Sequence, residues 1–289
     1  LPEFRESVAE WYLRRFGVSL DSEKEIISLI GAKEGIGHAS LAFVEPGDVA
    51  LIPDPGYPVY SVGTLFAGGK THVVPLTEQN DWLPDIDAIP EEVAYNATVL
   101  WINYPNNPTA AIADRGFFDR IVAFAKRYDI AVMHDACYTD VAYDDYKPPS
   151  FLEVEGAKDV CIEFHSLSKT FNMTGWRLGM AVGNANLVDK LLTIKSNLDS
   201  GVPQAIQKMG IAALKAPLDS VEERNAIYQG RRDKVVEVLK SMGLRVQTPK
   251  ASLYVWACVP DGYTSGEFSE CVLEETDIFV TPGTGYGEH

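Results

Sequence analysis

Continuous apolar runs separated by stretches of helical spacing constrain this chain most. Thr98-Val99-Leu100-Trp101-Ile102, Ile130-Ala131-Val132-Met133 and Val160-Cys161-Ile162-Glu163-Phe164 are short and almost uninterrupted by polar residues. A strand of that kind has both of its faces buried, which requires a largely parallel sheet with helices on either side. The pattern predicts strands at 48–52, 72–75, 97–102, 130–134 and 159–164. Between and around them it predicts helices at 3–16, through Phe43, up to about Phe66, and at 114–128, 186–198 and 202–215. Phe4, Val8, Trp11, Tyr12 and Phe16 recur at the spacing of one helical face. A long helix from about Leu218 to Met242 then leads to a strand over Leu253–Val259, a helix around 265–275 and the apolar Ile278-Phe279-Val280. The fold class is therefore α/β, with a large domain over 1–232 and a small α/β domain over 233–289.

Composition narrows the function. The chain has 289 residues and a formal net charge of −16, which argues against nucleic acid and against an anionic membrane surface as partners. No apolar stretch is long enough to span a bilayer, and no signal peptide is visible. Cys137, Cys161, Cys258 and Cys271 are scattered without a CxxC pair, and Cys161 and Cys258 fall in predicted strands. A disulfide framework is not expected, and a reducing cytoplasm fits. The five histidines show no metal-ligand spacing, so no metal site is expected.

The chemistry-bearing residues fall just past the strands. Ser166-Leu167-Ser168-Lys169-Thr170 follows one apolar run, with Gly175-Trp176-Arg177-Leu178-Gly179 after it. A lysine on such a hydroxyl-rich turn suits a Schiff base to an aldehyde cofactor. Ser166, Ser168 and Arg177 suit the phosphate that would anchor it. Asp135 ends the run before it, with Tyr138 three residues on, and Asn103-Tyr104-Pro105-Asn106-Asn107-Pro108-Thr109 ends another. In open α/β sheets this C-terminal edge is where ligands bind. Taken singly, Asp135 also reads as a helix N-cap, Asn107 as a turn residue and Tyr138 as a half-buried surface tyrosine.

Together these segments resemble the fold-type I pyridoxal-phosphate (PLP) aminotransferases, the class I/II group similar to aspartate aminotransferase. The resemblance covers essentially all of the chain. It implies a transaminase with PLP held on Lys169, Asp135 at the pyridine nitrogen, and Tyr138 and Asn107 at the phenolic oxygen. Lys169 and Asp135, with Tyr138, would be the catalytic set. Tyr57, in Pro55-Gly56-Tyr57, matches the aromatic that stacks on the ring, with Tyr60 as the competing candidate and core packing as its other role. Ala32 and Lys33 match the backbone N–H groups that meet the phosphate at a helix start. Asn103 and Pro108 are expected to shape their loop.

Within the family, Leu1-Pro2-Glu3-Phe4-Arg5, Gly31-Ala32-Lys33-Glu34-Gly35 and Ser196-Asn197-Leu198-Asp199-Ser200-Gly201 are most similar to the LL-diaminopimelate aminotransferases of lysine biosynthesis. The alternatives are an alanine- or aspartate-type aminotransferase, a PLP-dependent C–S lyase, and a PLP-binding regulatory domain without turnover. The resemblance also implies a homodimer with active sites at the interface. Both ends look truncated. The family's substrate-carboxylate arginine would lie past the Gly-rich turn at 283–287, and a tyrosine lent by the partner subunit would lie just upstream of Leu1.

Overall fold

The computed structural model describes residues 1–288. In chain order its elements are α1 (Pro2–Phe16), β1 (Ile26–Leu29), α2 (Ala32–Phe43), β2 (Val49–Asp54), α3 (Val59–Phe66), β3 (Lys70–Pro75), α4 (Glu91–Asn96), β4 (Ala97–Asn103) and α5 (Arg115–Tyr128). Then follow β5 (Ala131–Asp135), β6 (Cys161–Ser166), the one-turn α6 (Leu167–Thr170), β7 (Gly179–Gly183), α7 (Ala185–Leu198), α8 (Gln204–Lys215), α9 (Asp219–Ser241) and α10 (Ser265–Thr276).

Among the described residues one seven-stranded sheet forms, in the order β1-β7-β6-β5-β4-β2-β3. The pairs from β3 across to β6 are parallel. Only β7 runs against both of its neighbours. The apolar strands divide their side chains between two cores with period two. Leu100, Ile102 and Val132 point to the side covered by α1, α5 and α8. Val99, Trp101, Met133, Ile162 and Phe164 point to the side covered by α2, α3 and α7. Fully burying a side chain such as Phe4 or Phe118 contributes about 1.5–3 kcal/mol, and both are fully buried. Local chemistry sets the helix ends. The Asp114 carboxylate accepts from Phe117 N at 2.7 Å to start α5, and Asn184 caps α7 through the N–H groups of Asn186 and Leu187.

One part of the first core is charged. Glu163 is 0% exposed, yet it is fully partnered. Its Oε1 accepts from Tyr12 Oη at 2.7 Å, Ser150 Oγ at 2.8 Å and His165 Nε2 at 2.8 Å. Its Oε2 meets His134 Nδ1 and accepts from Phe151 N, both at 2.9 Å. Burial alone would push this carboxyl up. The hydrogen bonds from His134 and His165 outweigh burial and hold it well below the usual carboxylate range.

One expectation needs correction. The strand expected over 253–259 does not form among the described residues, and the apolar run 278–280 is likewise irregular. An apolar run becomes a strand only when a ladder accepts it. Here Val246↔Ala257 is a single bridge, and Leu253, Ile278 and Phe279 are exposed. Cys258 is accordingly exposed, whereas Cys161 is buried in β6. Conversely, β7 carried no signal strong enough to be read as a strand. It is five residues with glycine at each end, and the glycines are required there. A Cβ on Gly179 would come within 2.7 Å of the His165 carbonyl oxygen, and one on Gly183 would collide with that of Cys161.

Candidate active site

Asn103, Asp135 and Ser166 are the last residues of β4, β5 and β6, so three adjacent parallel strands deliver polar side chains to one edge. A cavity of about 240 Å³ opens there, and all ten site residues expected from the sequence line it. Ile36, Cys137, Thr174 and Tyr254 complete the lining. A larger cavity of about 570 Å³ lies between α1 and α9 and is lined by Asp140, Asp144 and Asn225. Lys147, Tyr143 and Tyr146 also line it, but none of the ten residues expected from the sequence does.

Lys169 stands on the single turn of α6. Its Nζ lies 5.7 Å from the centre of the Tyr138 ring and makes no hydrogen bond or ion pair among the described residues. Asp135 is buried, and both of its oxygens are held. Oδ2 accepts from Tyr60 Oη at 2.9 Å, and Oδ1 accepts from Cys137 N at 3.3 Å. Tyr138 Oη pairs with Tyr254 Oη at 2.7 Å. Burial, and then the neighbouring Tyr254, push the Tyr138 phenol far above its ordinary value, so it stays protonated.

The Asn loop is strapped to this edge. Asn103 Nδ2 donates to the Asp135 carbonyl at 2.6 Å, and Asn103 Oδ1 accepts from Asn107 N at 2.7 Å. Asn103 therefore shapes the loop, as expected. Asn107 Oδ1 is buried with no partner, a cost tolerated where a ligand supplies the missing bond.

On the other wall, α2 starts at Gly31 without a side-chain cap. Its first N–H groups and the helix dipole are left for an anion. Arg177 packs against Gly31, where any Cβ would collide with its guanidinium. Ser166 and Ser168 are buried close by. Tyr57 lies edge-to-face with Tyr60 at 5.9 Å, and Lys33 Nζ sits 5.8 Å from the Tyr57 ring centre. An orphaned amide oxygen, an uncapped helix start beside an arginine, an unpaired lysine and a fixed carboxylate are the donor and acceptor set that an aldehyde-bearing aromatic phosphate fits.

Tyr60 and Tyr254 extend what was read from the sequence. Tyr60 does pack in the core, stacked on Trp101 at 4.7 Å and 15°, but it also holds Asp135. Tyr254 arrives from 116 residues beyond Tyr138, and nothing local announces it. Away from the cavity, Glu34, His38 and Asp199 come close enough to ligate a metal ion. The Lys195 ammonium stands among them, 3.2 Å from Glu34 Oε1 and 2.8 Å from Asp199 Oδ2.

Fold and site define a PLP-dependent transferase of the α/β type. The chain belongs to the class I and II aminotransferases, whose family profile matches residues 1–288. It is 56% identical over 287 residues to the LL-diaminopimelate aminotransferase of Dehalococcoides mccartyi, covering 99% of this chain and 74% of that protein. It is also 56% identical over 289 residues to the enzyme of the same name from Desulforudis audaxviator, covering 100% of this chain and 74% of that one. Among solved structures, substrate-bound BacF from Bacillus subtilis superposes with a TM-score of 0.96 at 38% identity, covering 100% of this chain and 74% of that one. No helix among the described residues is long and apolar enough to cross a membrane.

Proposed function

We propose that this chain is an LL-diaminopimelate aminotransferase of lysine biosynthesis, exchanging an amino group between LL-diaminopimelate and 2-oxoglutarate. The observation that carries the reading is 56% identity across 99% of the chain to an enzyme of that name. The convergence of ten site residues on one cavity supports it.

PLP, when bound, supplies an aldehyde for covalent attachment and a ring that accepts the electron pair released at the substrate's Cα. Lys169 is the attachment point, and its freed Nζ takes and returns the Cα proton. Asp135 holds a proton on the ring nitrogen, kept in one orientation by Tyr60 and Cys137 N. Tyr138, as a protonated phenol, and Asn107, through its amide, bind the phenolic oxygen. Tyr57 stacks on the ring. The N–H groups of Ala32 and Lys33, the hydroxyls of Ser166 and Ser168, and Arg177 hold the phosphate.

The same reading includes a cytoplasmic homodimer with sites at its interface. It also includes two units, 1–232 and 233–289, with α9 crossing between them as a continuous helix.

The test is the visible spectrum of the PLP-loaded protein on addition of LL-diaminopimelate without 2-oxoglutarate. Conversion to the pyridoxamine form is expected. A protein that ignores diaminopimelate but converts with alanine or aspartate is a general aminotransferase instead. Absence of any bound-cofactor absorption contradicts the PLP assignment.

A further inference from the structure

Arg224, on α9, does not line the cofactor cavity, yet it grips the backbone beneath it. Its Nη1 donates to the Lys169 carbonyl at 2.6 Å and also to the Thr170 carbonyl. Its Nη2 donates to the Asp140 carbonyl at 2.8 Å. Asn225 fixes the fork, accepting from Arg224 Nη2 at 2.7 Å while its own Nδ2 donates to the Asp140 carbonyl at 2.9 Å. The Asp140 side chain closes the cluster, accepting from Thr170 Oγ1 at 3.2 Å and Arg15 Nε at 3.0 Å.

The need for this grip follows from the length of α6. The last carbonyls of any helix lack intrahelical partners, and α6 is four residues long. The Leu167 carbonyl is served locally by Phe171 N at 3.0 Å, whereas those of Lys169 and Thr170 are served by Arg224. The same guanidinium holds the chain two residues beyond Tyr138. One planar fork therefore ties together the two segments that carry Lys169 and Tyr138, a geometry that a point-charge lysine does not reproduce.

We infer that Arg224 is a positioning residue for Lys169, acting through the backbone of the turn that presents it and linking that turn to α9. This rests on the reading of Lys169 as the cofactor-bearing lysine. Without the fork, the C-terminal end of α6 is free to shift, and a displacement of about 1 Å at a reacting group costs up to about a hundredfold in rate.

The experiment compares wild type with Arg224→Lys and Arg224→Met, all loaded with PLP. Borohydride fixation on Lys169 in wild type tests the underlying reading by itself, so its failure is distinguishable. With that in place, kcat is expected to fall about tenfold to a hundredfold in both variants, with KM changing by less than about threefold. In the cofactor-free proteins, labelling of Lys169 by an amine-reactive reagent, read by peptide mass spectrometry, is expected to speed up relative to other lysines. In a third variant, Arg224→Ala, which leaves room for the free ion, guanidinium added far below unfolding concentrations is expected to restore part of the lost activity. If Arg224→Met does not fold, Arg224→Lys, which keeps the charge and the stem, carries the test. A lower melting temperature with unchanged kcat and unchanged Lys169 labelling makes Arg224 a structural tie alone and overturns the inference.

Discussion

Tyr60 donates from a fully buried hydroxyl to Oδ2 of Asp135 at 2.9 Å, while its ring stacks on Trp101. Burial, and then the charge of Asp135, hold the phenol far above its ordinary pKa, so it serves as a donor throughout the working pH range. Tyr60→Phe keeps the stack and deletes only the donor. It is expected to cost about 1.5–3 kcal/mol, the value of a hydrogen bond to a charged group, and to weaken PLP binding. Urea unfolding and cofactor titration measure both. Tyr60→Leu, which also loses the ring, should be less stable than Tyr60→Phe; equal stability would show that the stack contributes nothing.

Asp135→Asn keeps the shape of the side chain and removes its charge. The cofactor should still bind, because the phosphate contacts at α2, Ser166, Ser168 and Arg177 are untouched. Transamination should fall by about two to three orders of magnitude, typical for loss of one fixed electrostatic group. Steady-state kinetics that match wild type would remove Asp135 from the ring nitrogen.

Gly31 occupies a conformation, φ 77° and ψ 152°, that is open essentially to glycine alone. Gly31→Ala adds backbone strain of about 1–3 kcal/mol and drives a methyl group into the Arg177 guanidinium. Weaker binding of PLP should accompany the lower melting temperature. Binding of pyridoxal, which has no phosphate, should change much less.

How far the site was legible follows from where its residues lie. Asn103 follows its apolar run directly, and Asp135 and Ser166 follow theirs after a single histidine, so strand and strand end are visible in one short window. The lysine turn and the Gly31 turn are equally local. The partners that hold the site are not. Tyr12 reaches Glu163 across 151 positions, and Arg224 reaches Lys169 across 55. In sequence, Tyr12 looks like another apolar helix position, and Arg224 looks like surface charge on a long polar helix. His134, Glu163 and His165 interrupt their strands on one face, a pattern whose meaning appears only once β5 and β6 are paired. The strand expected at 253–259 shows the reverse limit, since apolar sequence without a ladder remains irregular.

Glu163→Gln replaces one acceptor oxygen with a donor in a cluster already full of donors. Breaking a buried charged network of this kind costs about 3–5 kcal/mol. The wild-type carboxyl is held below its unfolded value, so its stabilisation is complete above the unfolded carboxylate pKa of about 4.3. It is lost as pH falls through that value towards the folded one. Denaturant unfolding between pH 7 and pH 3 should show wild type losing stability on acidification, with the Gln variant less stable at pH 7 and flatter below pH 5. Parallel curves would contradict the role assigned to Glu163.

Reduction of the PLP-loaded protein with borohydride, followed by peptide mapping, addresses the central claim most directly. One phosphopyridoxyl adduct is expected, on Lys169 in the peptide containing Ser166-Leu167-Ser168-Lys169-Thr170. An adduct on any other lysine, or none, contradicts it.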